Sequence, residues 1–450
     1  MAAPASILEL ELREMMETSI TADLTLGCSL GSMLVSGLPD QTEIEKRIVD
    51  EVKRRRDELV ELTQEFVRTP SVSGEEGLLA KLMAERMKGF GFDNVRIDEA
   101  GNVLGSVGGS TDDGALMFNG HMDHVPPSDM LDPYSGEVRD GAPFEVSGPV
   151  IVGRAASDMK GALAAMIVAG SVLRELKVPL KRRMIVAGVV QEETNGLGSR
   201  FLARNTRLGG VVIGESTNLD VALGHRGSMA IDVITEGVSC HASAPERGVN
   251  ALYKMVPIIQ GVEEAAGRLP SHAVLGKSSM VATTISVTPN VKNVVPNLCS
   301  IAIDVRNTIN FSPDEAVQAI RGVVEQARSR HPEIKAKVEL AKRSLKSYTG
   351  YAEDIDAMTP PFYTEPDDPL AQMTKQVSSR ALGRETRFKV WTFATDGSYF
   401  TERGTPTVGF GPGEERFAHS RNDNVSIEHL IESAQVYAAL TAEFGQRTGR

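Results

Sequence analysis

Cysteine is scarce: Cys28, Cys240 and Cys299 are the only three in 450 residues, so at most one bridge could form. That excludes a disulfide framework and fits a reducing cytoplasm. Basic charge is also short, with 48 Lys and Arg against 60 Asp and Glu and a formal charge of −12. Phosphate contacts need clustered cations, so a nucleic-acid partner is not expected. No internal repeat, low-complexity tract or heptad seam occurs. The apolar run at 24–39 is too short for a membrane span, and it follows Glu9, Glu11, Glu14 and Glu17 where a secretory signal would be basic. No membrane partner is expected, and residues 1–40 read as an N-terminal extension of unassigned role. What the sequence does have is an ordinary globular balance, 41% apolar and 24% charged, in a length that suits two or three domains.

Helical spacing of Ile44, Ile48, Val52, Leu59, Leu62 and Phe66 predicts a helix that Pro70 ends. Ser71-Val72-Ser73-Gly74-Glu75-Glu76 reads as the capped start of a second helix running to Lys88. Apolar runs at 103–107, 115–119, 184–190 and 211–214 predict buried strands, and the helix at 160–176 is apolar nearly all round. This is the pattern of an α/β fold, a mixed central sheet with helices on both faces. After Gly227 the order becomes strand (228–236), helix (250–268), strands (280–287 and 298–306), helix (312–330) and strand (334–340). That is the ferredoxin-like α+β plan, inserted into the first domain. The α/β pattern then resumes with a helix near 369–381, strands at 387–391 and 407–411 and a last helix at 427–444. The expected organisation is an extension at 1–40, a main domain built from 41–227 and 345–450, and an inserted domain at 228–344.

Chemistry-bearing residues recur just beyond these strands. His121 and Asp123 close one strand two positions apart, on one side of an extended backbone. Alone, a His-x-Asp at a strand end is more often a surface turn. Asp158 stands directly before the apolar helix, where Asp is most often an N-cap. Glu192 and Glu193 follow the strand at 184–190, Glu215 follows 211–214, and His419 lies in a loop before the last helix. A Glu pair is usually a solvated face, yet ligands of open α/β sheets bind at the carboxyl ends of strands. Two imidazoles and three carboxylates are the mix expected of paired divalent ions, zinc first, with manganese or cobalt as alternatives. Asp158 is suited to span both ions, because a carboxylate has two oxygens to offer. Glu192 is then spare, placed to take a proton from an attacking water and pass it to a leaving nitrogen. Asp123 would fix the orientation of His121.

With these motifs in place the chain resembles the M20 family of co-catalytic metallopeptidases and deacylases, which includes acetylornithine deacetylase, succinyl-diaminopimelate desuccinylase and carboxypeptidase G. The likeness runs from about Glu43 to the C-terminus. It rests on Gly-His-Met-Asp at 120–123, Gly-Arg-Ala-Ala-Ser-Asp-Met-Lys-Gly at 153–161, Glu-Glu-Thr-Asn-Gly-Leu-Gly at 192–198, Gly-Glu-Ser at 214–216 and Ala-His-Ser at 418–420. The resemblance implies His121 and Glu215 on one metal, Glu193 and His419 on the other, Asp158 bridging, Asp123 in support and Glu192 as base. It implies that the insertion is a lid through which a homodimer forms. There His241 would stabilise the oxyanion across the subunit boundary, and Asn293 and Arg306 would hold a substrate carboxylate. The backbone amides of Gly411 and Gly413 would face an anionic group. The sequence departs from the family after His419, where any supporting acid is the shorter Asp423. The expected activity is amide-bond hydrolysis by a cytoplasmic enzyme, most directly deacylation of an N-acyl amino acid or related carboxylate-bearing substrate. The alternatives are a metallo-carboxypeptidase or dipeptidase, and more remotely a non-catalytic binding protein on this fold.

Overall fold

In the computed structural model the continuous apolar runs become the buried middle of an eight-stranded sheet. The structure describes residues 41–109 and 114–446, so the extension at 1–40, with Cys28, lies outside the described residues. Two compact units are distinguished. One ends at Lys46, and only the opening of helix Gln41–Arg54 is described there; the other is Arg47–Arg450.

The sheet order is Asp93–Ile97, Val103–Val107, Met184–Val189, Ala115–His121, Leu208–Ile213, Thr407–Gly409, Val221–Ala222 and Phe388–Lys389. The third to sixth strands run parallel, and antiparallel neighbours on either side make the sheet mixed. Adjacent residues of a strand face opposite ways. Met117 packs with Leu202 and Phe400 on one side, while Phe118 meets the ring of Tyr437 on the other, 5.0 Å between centroids. Helices therefore cover both faces. The segment Ala156–Glu175 is long and apolar enough to cross a membrane, but its apolar stretch is buried inside the protein up to Leu173, which explains its lack of a polar face. It lies close on the sheet because Gly120 and Gly214 carry no side chain. A Cβ on Gly120 would stand 2.7 Å from Met159 Cε, and one on Gly214 would stand 2.2 Å from Met166 Cε. The start of this helix is thereby held over the carboxyl ends of the parallel strands.

The segment after Gly227 builds a separate antiparallel sheet, ordered Ser279–Thr288, Leu298–Arg306, Ser228–Glu236 and Lys335–Leu340, with Met358–Thr359 pairing beside Ser228–Met229. Burial alternates along Ser228–Glu236 and Leu298–Arg306 as a half-buried sheet requires. The inward set, including Ile231, Val233, Ile301 and Ile303, packs with Met255 and Ile258 of helix Ala251–Ala266 and Ile320 and Val324 of helix Pro313–Arg330. Asn250 caps the first helix, and Ser312 with Glu315 forms a full capping box on the second.

Some local expectations are corrected. The first long helix breaks at Arg55, whose N–H is shared between the carbonyls of Glu51 and Val52, giving helices Gln41–Arg54 and Arg56–Arg68. The strand expected at 407–411 stops at Gly409, and the Gly411 N–H turns to Thr217 Oγ1 at 3.1 Å. The capped start expected at 71–76 is not formed: helix Gly77–Gly89 has no side-chain cap. Ser71 Oγ donates to the Met122 carbonyl at 2.7 Å and Ser73 Oγ to Asp123 Oδ2 at 2.7 Å. Buried acceptors from a distant strand win over the local backbone. The hairpin of Lys342–Lys346 with Ala352–Asp356 and the sheet of Glu137–Asp140, Pro149–Val152 and Asn424–Ser426 carried no clear apolar period and were not anticipated.

Candidate metal centre

Parallel strands that end at Val189, His121, Ile213 and Gly409 deliver whatever follows them to one edge of the sheet. There a cavity of about 230 Å³ is lined by Asp158, Glu192, Glu193, Glu215, Phe393, Ala394, Glu415, Ala418 and His419. His121, 1% exposed, lies against two of these lining carboxylates. Its Nε2 lies 2.9 Å from Asp158 Oδ1 and 3.3 Å from Glu215 Oε1. His419 Nε2 lies 2.9 Å from Glu193 Oε1 and 3.2 Å from Asp158 Oδ2. Each oxygen of Asp158 thus meets a different imidazole. Asp158 is no helix cap: it has extended backbone, φ −131° and ψ 82°, inside the wide turn Ala156–Lys160, and the following helix has no side-chain cap bond.

The loops that carry these groups are held from behind. Asp123 is fully buried, and its carboxylate accepts from the backbone N–H of Glu192 at 3.0 Å, from that of Glu193 at 3.2 Å and from Ser73 Oγ at 2.7 Å. His121 Nδ1 meets the Asp123 backbone carbonyl at 2.9 Å, with the carboxylate further off at 3.6 Å. A carbonyl only accepts, so Nδ1 carries a proton and Nε2 is turned to the cavity. Asp423 is also fully buried and accepts from Ala155 N at 2.7 Å, Ser157 N at 3.0 Å and Ser157 Oγ at 2.8 Å. Its hold is on the loop that aims Asp158, a connection that its place after His419 in the sequence does not announce.

The electrostatics are those of a site short of positive charge. Burial, then the Asp158 carboxylate, pushes Glu215 up to about 7 and also raises Glu193. Burial, then Asp396, raises Glu192 well above the ordinary carboxylate range. Burial would lower His121, but the bonds to Asp158 and Glu215 outweigh it and hold the ring well above its usual value. Asp158 and Glu193 push His419 up to about 10. Asp158 itself is held below its usual range, because bonds from both histidines outweigh its burial. Ligand atoms of His121, Asp158 and Glu193, and separately of His121, Glu192 and Glu215, lie within 4.8 Å of one another. Imidazole and carboxylate donors so crowded fit divalent cations.

The remaining expected residues fall elsewhere. His241 is exposed in a loop, bonded to Ser243 Oγ at 2.7 Å, and its neighbour Ala242 donates to the Asn293 carbonyl at 2.9 Å. His241 and Asn293 thus come together, away from the cavity of their own chain. Arg306 is held by Asp304 through two bonds, of 2.9 and 3.1 Å. Gly413 packs against Ser157, and the Gly411 amide is already engaged by Thr217. Two buried acids near the site were given no role by the sequence. Asp396 is 2% exposed with its Oδ2 unpartnered among the described residues, and Glu76 is fully buried behind the Glu192 turn. Neither announces its burial locally: Asp396 stands at the N-cap position of the short helix Gly397–Thr401 without making a cap bond, and Glu76 lies in a Glu pair before a helix.

Comparison with known proteins places the chain in a family. The model of peptidase family M20/M25/M40 matches residues 117–443. The Escherichia coli K12 protein YgeY is 32% identical over 403 residues, spanning 88% of this chain and 96% of that one. Succinyl-diaminopimelate desuccinylase 2 of a Ruegeria species is 31% identical over 264 residues, 55% of this chain and 64% of that one. Among solved structures, aminopeptidase PepT of Bacillus cereus superposes with a TM-score of 0.66 at 19% identity, covering 87% of this chain and 99% of that one, and so shares the fold. The chain belongs to peptidase family M20/M25/M40 and is a metal-dependent hydrolase of amide bonds.

Proposed function

We propose that the protein holds two divalent ions and removes the acyl group from an N-acyl amino acid or a related amide bearing a carboxylate. The observation that carries this reading is Asp158, with one oxygen 2.9 Å from His121 Nε2 and the other 3.2 Å from His419 Nε2. A two-oxygen group between two imidazoles is what a shared ligand requires. His121 and Glu215 would complete one ion's protein ligands and Glu193 and His419 the other's, with zinc the best match to the donors and cobalt or manganese next. When bound, such ions supply the charge that polarises the scissile carbonyl and makes water a competent nucleophile near neutral pH. Glu192, on the cavity wall, takes the proton from the attacking water and returns it to the departing nitrogen. Asp123 holds the Glu192 and Glu193 amides in place while this happens.

His241, Asn293 and Arg306 serve substrate in this reading from a homodimer formed through the inserted domain. Two features support that: the exposed apolar residues Val281 and Ile285 on the edge strand Ser279–Thr288, and Tyr253 on helix Ala251–Ala266. The free thiol of Cys299 and that of Cys240 fit a cytoplasmic setting. Deacylation is favoured by the likeness to a protein named as a desuccinylase.

The test pairs a metal assay with a rate assay. Glu192→Ala should keep its full metal content and lose about 10²- to 10⁴-fold in kcat; wild-type turnover in that variant would refute the role. A panel of N-acyl amino acids and dipeptides, run on protein loaded separately with zinc, manganese and cobalt, decides the substrate. Faster cleavage of dipeptides would replace deacylation with peptidase activity.

A further inference from the structure

Three consecutive backbone N–H groups of the turn that carries Glu192 and Glu193 donate into two buried carboxylates. Glu192 and Glu193 give theirs to Asp123, and Gln191 gives its own to Glu76 Oε1 at 3.1 Å. Glu76 reaches this turn from 115 positions earlier in the chain. The same Oε1 accepts from Gly74 N at 3.0 Å, which secures the loop whose Ser73 hydroxyl completes the Asp123 carboxylate. Glu76 and Asp123 therefore form one clamp on the turn.

We propose that Glu76 is a positioning residue of the metal centre, holding Gln191 so that Glu192 and Glu193 project into the cavity. The hold has something to resist. Gln191 has left-handed backbone, φ 55° and ψ 40°, a conformation that a non-glycine residue keeps only where its surroundings fix it. Its side chain is occupied elsewhere, donating to the Lys346 carbonyl at 2.6 Å. Other uses of Glu76 do not account for it. It makes no cap bond to its own helix, it is 0% exposed, and its second oxygen, Oε2, is buried with no partner among the described residues. A carboxyl group left half-satisfied in the interior is a poor structural choice in itself. What it adds is the pair of bonds to Gly74 and Gln191. Burial, then the proximity of Asp123, pushes Glu76 up to about 7, in keeping with an acceptor whose charge is secondary.

This inference rests on the proposed di-metal reading, and the experiment separates the two. Glu76→Ala, Glu76→Gln and Glu76→Asp are loaded with cobalt, and the visible absorption spectrum and ions bound per chain are read without substrate, followed by kcat and KM. Glu76→Ala should lose about 10- to 100-fold in kcat, the usual cost of removing support behind a metal site, with KM little changed and the cobalt bands shifted. Glu76→Gln keeps an oxygen for both N–H groups and should recover most of kcat and the wild-type spectrum. Glu76→Asp withdraws the acceptor by one methylene and should behave like Glu76→Ala, so the Asp and Gln pair decides the matter if the alanine variant does not fold. Wild-type kcat and spectrum in Glu76→Asp, or a Gln variant as impaired as the Asp one, would overturn the inference while leaving the di-metal reading intact. Wild-type protein that takes up no cobalt overturns both.

Discussion

The two sheets obey different rules. In the antiparallel segment of 228–340 the central strands Ser228–Glu236 and Leu298–Arg306 alternate as their sequence period dictates, and the buried polar residues are the uncharged Thr235, Ser278, Asn307 and Thr308. Among the described residues, every non-glycine residue with positive φ lies outside that segment, and Ala155, Gln191, Asn195 and His419 border the metal centre. Around that centre Asp123, Arg154, Asp158, Lys160, Glu215 and Asp423 are buried. One region is optimised for folding. The other holds strained backbone and crowded charge that only long-range contacts make tolerable, as expected where a site is preorganised for chemistry.

Substitution can break this contrast, and Asp158→Ala should have the largest effect. It removes the group shared by both imidazoles, so bound metal should fall and turnover should vanish, while the circular dichroism of the fold persists. Full metal content in that variant, measured by elemental analysis, would remove the basis for a shared ligand. Next comes Ile231→Ala in the antiparallel sheet, at a side chain that is 0% exposed. It should cost about 2–5 kcal/mol of unfolding free energy, read by urea denaturation, with metal binding unchanged. Loss of metal there would mean that the two regions are less independent than their packing suggests.

The third effect is a pH slope. His225 is fully buried, its Nδ1 facing the Arg226 carbonyl at 2.9 Å and its Nε2 accepting from Thr395 N at 2.9 Å. Burial pushes it down from 6.5 to about 4. Above pH 6.5 the ring is neutral whether folded or unfolded. Between 6.5 and about 4 the unfolded chain binds the proton first, so stability falls as pH falls, by up to about 3 kcal/mol at the acid end. In His225→Gln that part of the acid slope should disappear from the thermal midpoint. An unchanged slope would assign the acid sensitivity to other groups.

Much of the centre was legible because the strand-forming runs are apolar and their ends are marked by His121, Glu192, Glu193, Glu215 and His419. Parallel strands have their carboxyl ends on one edge, so a correct strand assignment already gathers these residues. Asp158 was legible by its position before a helix, though the local preference for capping argued for a different role. Glu76, Asp396 and the true hold of Asp423 were not legible. Each acts through atoms more than a hundred residues away or within a loop, and a short-range pattern has nothing to say about that. The same limit explains the unformed cap at 71–76, where Ser71 and Ser73 chose buried acceptors on the strand end at 122–123.

The sequence alone determined the long apolar strands and most of the helices, that an antiparallel segment interrupts an α/β sheet, and which side chains are candidates for the metal chemistry. Those features follow from period, apolar run length and residue type, all local quantities. The tertiary structure decided how the ligand-bearing turns are aimed: Asp158 between two imidazoles, the Glu192–Glu193 turn across Asp123 and Glu76, and the Asp158 loop on Asp423. Aim is a matter of ångströms between distant parts of the chain, and only the packed fold brings those parts to hydrogen-bond distance.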